Sequence, residues 1–132
     1  MGPFKKVMIV EDDPLLSVVE QKMVERLGYE VIGKAVSGEE TLEKIQELNP
    51  EILLIDVQLA GQLNGIQTVK MIREKFMDIP VIFLSGDRSP SVLKNAQSTD
   101  YIDFLLKPIT VQELSIPLNK ASELANVAQK VA

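Results

Sequence analysis

The chain has 132 residues, 45% of them hydrophobic and 25% charged, with 14 basic against 19 acidic side chains for a net charge of −5. That length suits one domain with a core that needs no disulfide or metal staple, and the acidic balance argues against a nucleic-acid or anionic-membrane surface spread over it. With no Cys and no His, disulfide scaffolds, thiolate metal sites, histidine-ligated zinc and Ser-His-Asp catalysis are excluded. No apolar run approaches the ~20 residues of a membrane span, and no signal-peptide h-region opens the chain. The expectation is a soluble, cytoplasmic domain without membrane insertion, whose chemistry rests on carboxylates, hydroxyls and lysine.

The predicted elements alternate strand and helix. Phe4–Val10 is an apolar run bounded by Asp12-Asp13-Pro14 and reads as a buried strand. Asp13 is placed to cap a helix with Pro14 at its first position. Leu16, Val19, Met23 and Leu27 mark that helix, and Gly28 ends it. Tyr29–Val36 is the second strand. Ser37-Gly38-Glu39-Glu40 is a capping-box pattern, with Leu42, Ile45 and Leu48 behind it and Asn49-Pro50 as the stop. Ile52–Ile55 is a continuous apolar run ending in Asp56, the pattern of a central strand in a parallel sheet. After a loop at Gly61–Gly65, Ile66, Val69, Ile72 and Phe76 mark a third helix. Pro80–Leu84 is a fourth strand with its proline at the tolerated start. Residues 90–97 read as a weak helix and Tyr101–Leu106 as the fifth strand. Thr110-Val111-Gln112-Glu113 opens a last helix running towards Ala128, which Pro117 should kink or locally break.

Five strands alternating with five helices imply an α/β fold, a parallel sheet covered on both faces with right-handed crossovers. The flavodoxin-like strand order 2-1-3-4-5 fits this count, although pattern alone does not dictate the order. The polar residues are placed informatively. Glu11-Asp12-Asp13 follows strand 1, Asp56 strand 3, Ser85 strand 4 and Lys107 strand 5. In a parallel sheet these ends share one edge, where ligands bind at the reversal of winding. Taken singly, each is a turn, a cap or a strand terminus; jointly they describe a cleft of carboxylates, a hydroxyl and an ammonium. Clustered carboxylates repel, and an oxygen-only donor set favours Mg²⁺, Mn²⁺ or Ca²⁺ over zinc, with Mg²⁺ the best match.

The sequence resembles the receiver domain of two-component response regulators over about residues 4–125, leaving 126–132 as a helix extension or the start of a linker. The matching segments are Val7–Asp13, Ile52–Leu59, Asn64-Gly65-Ile66, Val81–Gly86 and Asp103–Pro108. The resemblance implies a flavodoxin-like (βα)5 receiver fold with Asp56 as phosphoacceptor. It implies Mg²⁺ held by Asp12, Asp56 and the backbone carbonyl of Gln58, with Glu11 acting on it directly or through water. Ser85, Gly86 and Lys107 would contact the phosphoryl group, Ser85 and Phe104 would form the switch, and Lys107-Pro108 would be a cis peptide bond. The implied partner is a histidine kinase or histidine phosphotransfer protein. A homodimer through the helix 4–strand 5–helix 5 face is a further implication, and direct nucleic-acid contact by this domain is not. Beyond phosphotransfer to itself and autodephosphorylation, no enzyme activity is implied.

The chain departs from the common family pattern at several positions. Ser85 stands where Thr is more frequent, Gly86 where Ala is common, and Gln58 puts no acid beside the site. Pro117 is unusual in the last helix, and the Ala60–Leu63 loop is extended. Haloacid-dehalogenase-like phosphatases, which also use an aspartyl phosphate, carry a second Asp where this chain has Gln58. Pseudo-receivers usually lose the acceptor, an acid or the lysine, all present here. No G-x-G-x-x-G follows strand 1, which removes dinucleotide binding.

Overall fold

Residues 52–56 and 81–85 are buried at every position, and the rest of the fold is arranged around them. The computed structural model describes residues 5–75 and 77–131, with side chains through 125. In chain order the elements are β1 (Lys6–Val10), α1 (Pro14–Arg26), β2 (Glu30–Ala35), α2 (Gly38–Leu48), β3 (Ile52–Asp56), α3 (Gly65–Glu74) and β4 (Val81–Ser85). They continue with α4 (Pro90–Ala96), a 3₁₀ turn at Gln97–Thr99, β5 (Asp103–Leu106) and α5 (Val111–Val131). The five strands form one parallel sheet in the order β2-β1-β3-β4-β5, as the strand–helix alternation suggested. Phe4 and Phe76, read as parts of the first strand and third helix, lie outside the described residues.

The sheet separates two cores because successive side chains point to opposite faces. Met8, Val10, Leu53, Ile55, Val81 and Phe83 face one way and meet Ile45 of α2, Val69 and Ile72 of α3 and Ala96 of α4. Val7, Ile9, Ile52, Leu54, Ile82 and Leu84 face the other way and meet Val24 of α1 and Leu114, Leu118 and Ala121 of α5. Helices on both faces are what a parallel sheet with continuous apolar strands requires.

Local chemistry sets the helix ends. Asp13 Oδ1 accepts from the Leu15 and Leu16 N–H groups, with Pro14 at the first helical position. Ser37 Oγ accepts from Glu40 N–H, but Glu40 returns its carboxylate to Val36 N–H, one residue before the cap. Thr110 and Glu113 close a full reciprocal box. Helix α2 stops at Asn49 in the left-handed region, φ 49°, and α1 stops before Gly28, φ 92°. Pro117 does not break α5, which continues through it. The bond lost to the Glu113 carbonyl is outweighed locally by Leu114, Leu118 and Ala121, all fully buried against the sheet.

Helix α1 packs only the C-terminal half of its apolar stripe, Met23 and Leu27, against the core. Leu16 and Val19 of α1 remain 37% and 38% exposed, whereas Ser17, Glu20 and Val24 turn inward. This places a glutamate beneath the carboxyl edge of the sheet.

Candidate functional site

The strand register assembles the site. Val10 pairs with Ile55, so Glu11 and Asp56, each the next residue, stand side by side. Asp56 pairs with Leu84 and Ser85 with Leu106, which brings Ser85 and then Lys107 to the same edge. Backbone bonds extend the ladders past the strands: Glu11 N–H to Ala35 O at 3.0 Å, Val57 N–H to Leu84 O at 2.8 Å and Lys107 N–H to Ser85 O at 2.8 Å. The peptide bond from Lys107 to Pro108 is cis.

Lys107 Nζ donates to Glu11 Oε1 and to Asp56 Oδ2, both at 2.8 Å. The ammonium thus bridges two carboxylates that are themselves almost fully buried. Gln58 N–H donates to Asp56 Oδ1 at 3.3 Å, and Asp13 N–H to Glu11 Oε2 at 3.2 Å. The loop after β3 is held close: Gly65 N–H donates to Val57 O at 2.8 Å, and a Cβ on Gly65 would collide with the Asp56 carbonyl oxygen. Gln62 N–H is tied to Glu39 of α2 at 3.0 Å.

Burial and charge set the titration of these groups. Burial raises the Asp56 carboxyl; Lys107 opposes it and Glu11 adds to it, leaving Asp56 at about 6. Burial also acts against ionised Glu11, but hydrogen bonds from Glu20, Lys107 and the Asp13 backbone hold it below the ordinary value. Burial works against charged Lys107 too, and its bonds to Asp56 and Glu11 more than reverse this, holding it above the ordinary lysine range.

Glu11, Asp12 and Asp56 each offer a carboxylate oxygen, and the three lie within 4.8 Å of one another. Asp12 is exposed and Glu11 and Asp56 buried, so the cluster opens to solvent on one side. Hard oxygen donors with open positions fit Mg²⁺ or Mn²⁺, and the excess of negative charge around one ammonium calls for a further cation. Gly86 is exposed, with open space where a Cβ would stand.

Two expected participants are engaged elsewhere. Ser85 is fully buried; its Oγ accepts from Asp87 N–H at 2.9 Å and lies 2.8 Å from Asp87 O and 3.1 Å from Gln58 Oε1. Its single proton serves one of those two oxygens at a time. Phe104 is turned inward at 2% exposure, packed against Phe83 at 5.8 Å and Tyr101 at 6.0 Å between ring centroids.

Sequence reasoning missed Glu20. It is 3% exposed, and its Oε1 is buried without a hydrogen-bond partner among the described residues. Burial first, then the contact and charge of Glu11, push it up to about 9. The signal available was the spacing 17-20-24, which is as helical as the apolar 16-19-23-27 stripe. Nothing in the chain ranks one face over the other until the sheet is in place.

Residues 7–119 match the family model of the response regulator receiver domain. The chain is 31% identical over 131 residues to a probable C4-dicarboxylate response regulator of Halalkalibacterium halodurans, covering 98% of this chain and 56% of that protein. It is 30% identical over 119 residues to the chemotaxis protein CheY of Thermotoga maritima, covering 90% of this chain and 98% of that one. The chain therefore spans about half the length of the first of these and nearly all of the second. Among solved structures, the signal receiver domain of a modulated diguanylate cyclase from Desulfovibrio desulfuricans superposes with a TM-score of 0.85 at 27% identity, covering 95% and 98% of the two chains. Sheet order, register-built acidic cluster and family match agree, and the chain belongs to the response regulator receiver domains of two-component signalling systems.

Proposed function

We propose that Asp56 accepts a phosphoryl group from a phosphohistidine of a histidine kinase or phosphotransfer protein. The observation that carries this reading is the junction at Asp56: a buried carboxylate bridged by Lys107 at 2.8 Å inside an oxygen cluster open on one side. With its pKa at about 6, Asp56 is mostly anionic at neutral pH and nucleophilic. One Asp56 oxygen forms the new P–O bond, the P–N bond to the donor imidazole breaks, and that nitrogen ends protonated. Bound Mg²⁺, held by Glu11, Asp12, Asp56 and the Gln58 carbonyl, would supply electrostatic stabilisation of the phosphoryl oxygens. Lys107 is placed to pair with the same oxygens once Asp56 is esterified, and open space at Gly86 leaves its N–H approachable. Hydrolysis of the acyl phosphate resets the domain.

The switch follows from Ser85 and Phe104. A phosphoryl group adds charge and strong acceptors at Asp56. Ser85 exchanges its Gln58 and Asp87 bonds for one to a phosphoryl oxygen, and the α4–β5–α5 surface responds. That surface carries exposed Leu106 and Ile116, and homodimerisation through it belongs to the same proposal. The donor approaches over the open side of the cluster, flanked by the exposed Leu15, Leu16, Val18 and Val19 of α1.

Acetyl phosphate with Mg²⁺, read by intact mass, tests the assignment. Wild type gains one phosphoryl group; Asp56→Asn does not, and neither protein does in EDTA. Labelling that persists in Asp56→Asn would move the acceptor to another carboxylate.

A further inference from the structure

Gln58 touches both Asp56 and Ser85. Its backbone N–H donates to Asp56 Oδ1 at 3.3 Å, and its side-chain Oε1 lies 3.1 Å from Ser85 Oγ. The second contact spans 27 residues and ties the loop after β3 to the end of β4. A serine hydroxyl has one proton to donate. At Ser85 two oxygens already contend for it, Asp87 O at 2.8 Å and Gln58 Oε1. Ser85 is fully buried, so its bonds are traded among protein groups and the phosphoryl group rather than with bulk water.

A phosphoryl oxygen on Asp56 is a third claimant for that proton. Asp87 sits in the same short turn as Ser85, and its N–H donates back to Ser85 Oγ at 2.9 Å. Gln58 instead reaches across from another loop, and its side chain has somewhere else to go. It lines a groove of roughly 400 Å³ shared with Asn64, Ile66, Val92 and Asn95, beside α3 and α4. We infer that the Gln58 side chain is a positioning residue of the switch, latching the Ser85 hydroxyl in the unphosphorylated arrangement so that phosphoryl capture must first release it. A ligand whose competent state is only partly populated binds more weakly by that fraction. One neutral hydrogen bond shifts such an equilibrium by about 2–10-fold.

This inference rests on the proposed phosphoryl site at Asp56, and beryllium fluoride binding at saturating Mg²⁺ separates the two. That anion mimics a phosphoryl group on a carboxylate, and its bound form is followed by fluorine nuclear magnetic resonance on the whole chain. Gln58→Met keeps the backbone and the side-chain length but removes the oxygen that holds Ser85. It should bind beryllium fluoride about fivefold more tightly than wild type. Ser85→Ala should bind more weakly, and adding Gln58→Met to it should change nothing further, because the latch then has no hydroxyl to hold. Melting of each variant without ligand establishes that it is folded, and Gln58→Leu serves the same comparison if methionine does not pack. A residue that merely supported the fold would move the melts and leave the affinity alone. Equal or weaker binding by Gln58→Met overturns the inference and leaves the phosphoryl site standing. An equal gain in the Ser85→Ala background also overturns it, since Gln58 would then act on the phosphoryl group and not through the hydroxyl. No beryllium fluoride binding by wild type removes the phosphoryl site, and the latch with it.

Discussion

Glu20 makes the domain's stability depend on pH in a way that one substitution removes. In the folded chain its pKa is about 9, against an ordinary glutamate value of 4.5. The folded state therefore holds a proton that the unfolded state releases, and folding is penalised as pH rises. The stability contributed by the proton is complete below about 4.5 and is lost as pH rises through about 9. Each pH unit in that window withdraws about 1.4 kcal/mol, so the 2.5 units from 4.5 to pH 7 amount to roughly 3 kcal/mol. Glutamine has nearly the same shape and does not titrate. Glu20→Gln should match wild type near pH 4.5 and exceed it by roughly 3 kcal/mol at pH 7, on the order of 10 °C in Tm for a domain of this size. Glu11, Asp56 and Lys107 face position 20 in both proteins, so their own titration largely cancels in the difference. Urea unfolding followed by circular dichroism in EDTA at pH 5, 6, 7 and 8 measures it. Parallel stability curves for the two proteins, offset or not, would refute the reasoning, because they would mean that Glu20 ionises alike folded and unfolded.

Lys107→Met should destabilise the cation-free domain by about 3 kcal/mol at neutral pH, since it strands two buried carboxylates; Mg²⁺ added during thermal melting should recover much of the loss. Phosphoryl uptake from acetyl phosphate at limiting Mg²⁺ should rise with pH through an inflection near 6, where Asp56 becomes anionic, and more Mg²⁺ should move that inflection to lower pH by favouring the anion. An inflection that ignores Mg²⁺ would argue that the cation does not touch Asp56. Gly65→Ala should cost about 2 kcal/mol or more in chemical denaturation and slow phosphoryl uptake, because the added methyl displaces the Asp56 carbonyl.

Much of this was legible in the chain. The runs at Val7–Val10, Ile52–Ile55 and Val81–Leu84 are apolar on both faces, which only a strand inside a covered parallel sheet tolerates. Asp13, Ser37 and Thr110 announce helix starts because their side chains satisfy N–H groups that the helix itself leaves open. Asp56 and Lys107 stand out because charges at the ends of such strands must share one edge.

What sequence alone determined was the alternation of elements and the membership of the edge: local preferences and side-chain periodicity depend on neighbours in the chain, and those are printed in order. Tertiary structure decided the rest. It chose Ser17, Glu20 and Val24 over Leu16 and Val19 as the inner face of α1, set Ser85 against Gln58 and Asp87, and turned Phe104 into the core beside Phe83. Each of these depends on partners far away in sequence, and a buried carboxyl such as Glu20 acquires its pKa only when the sheet and Glu11 remove it from water.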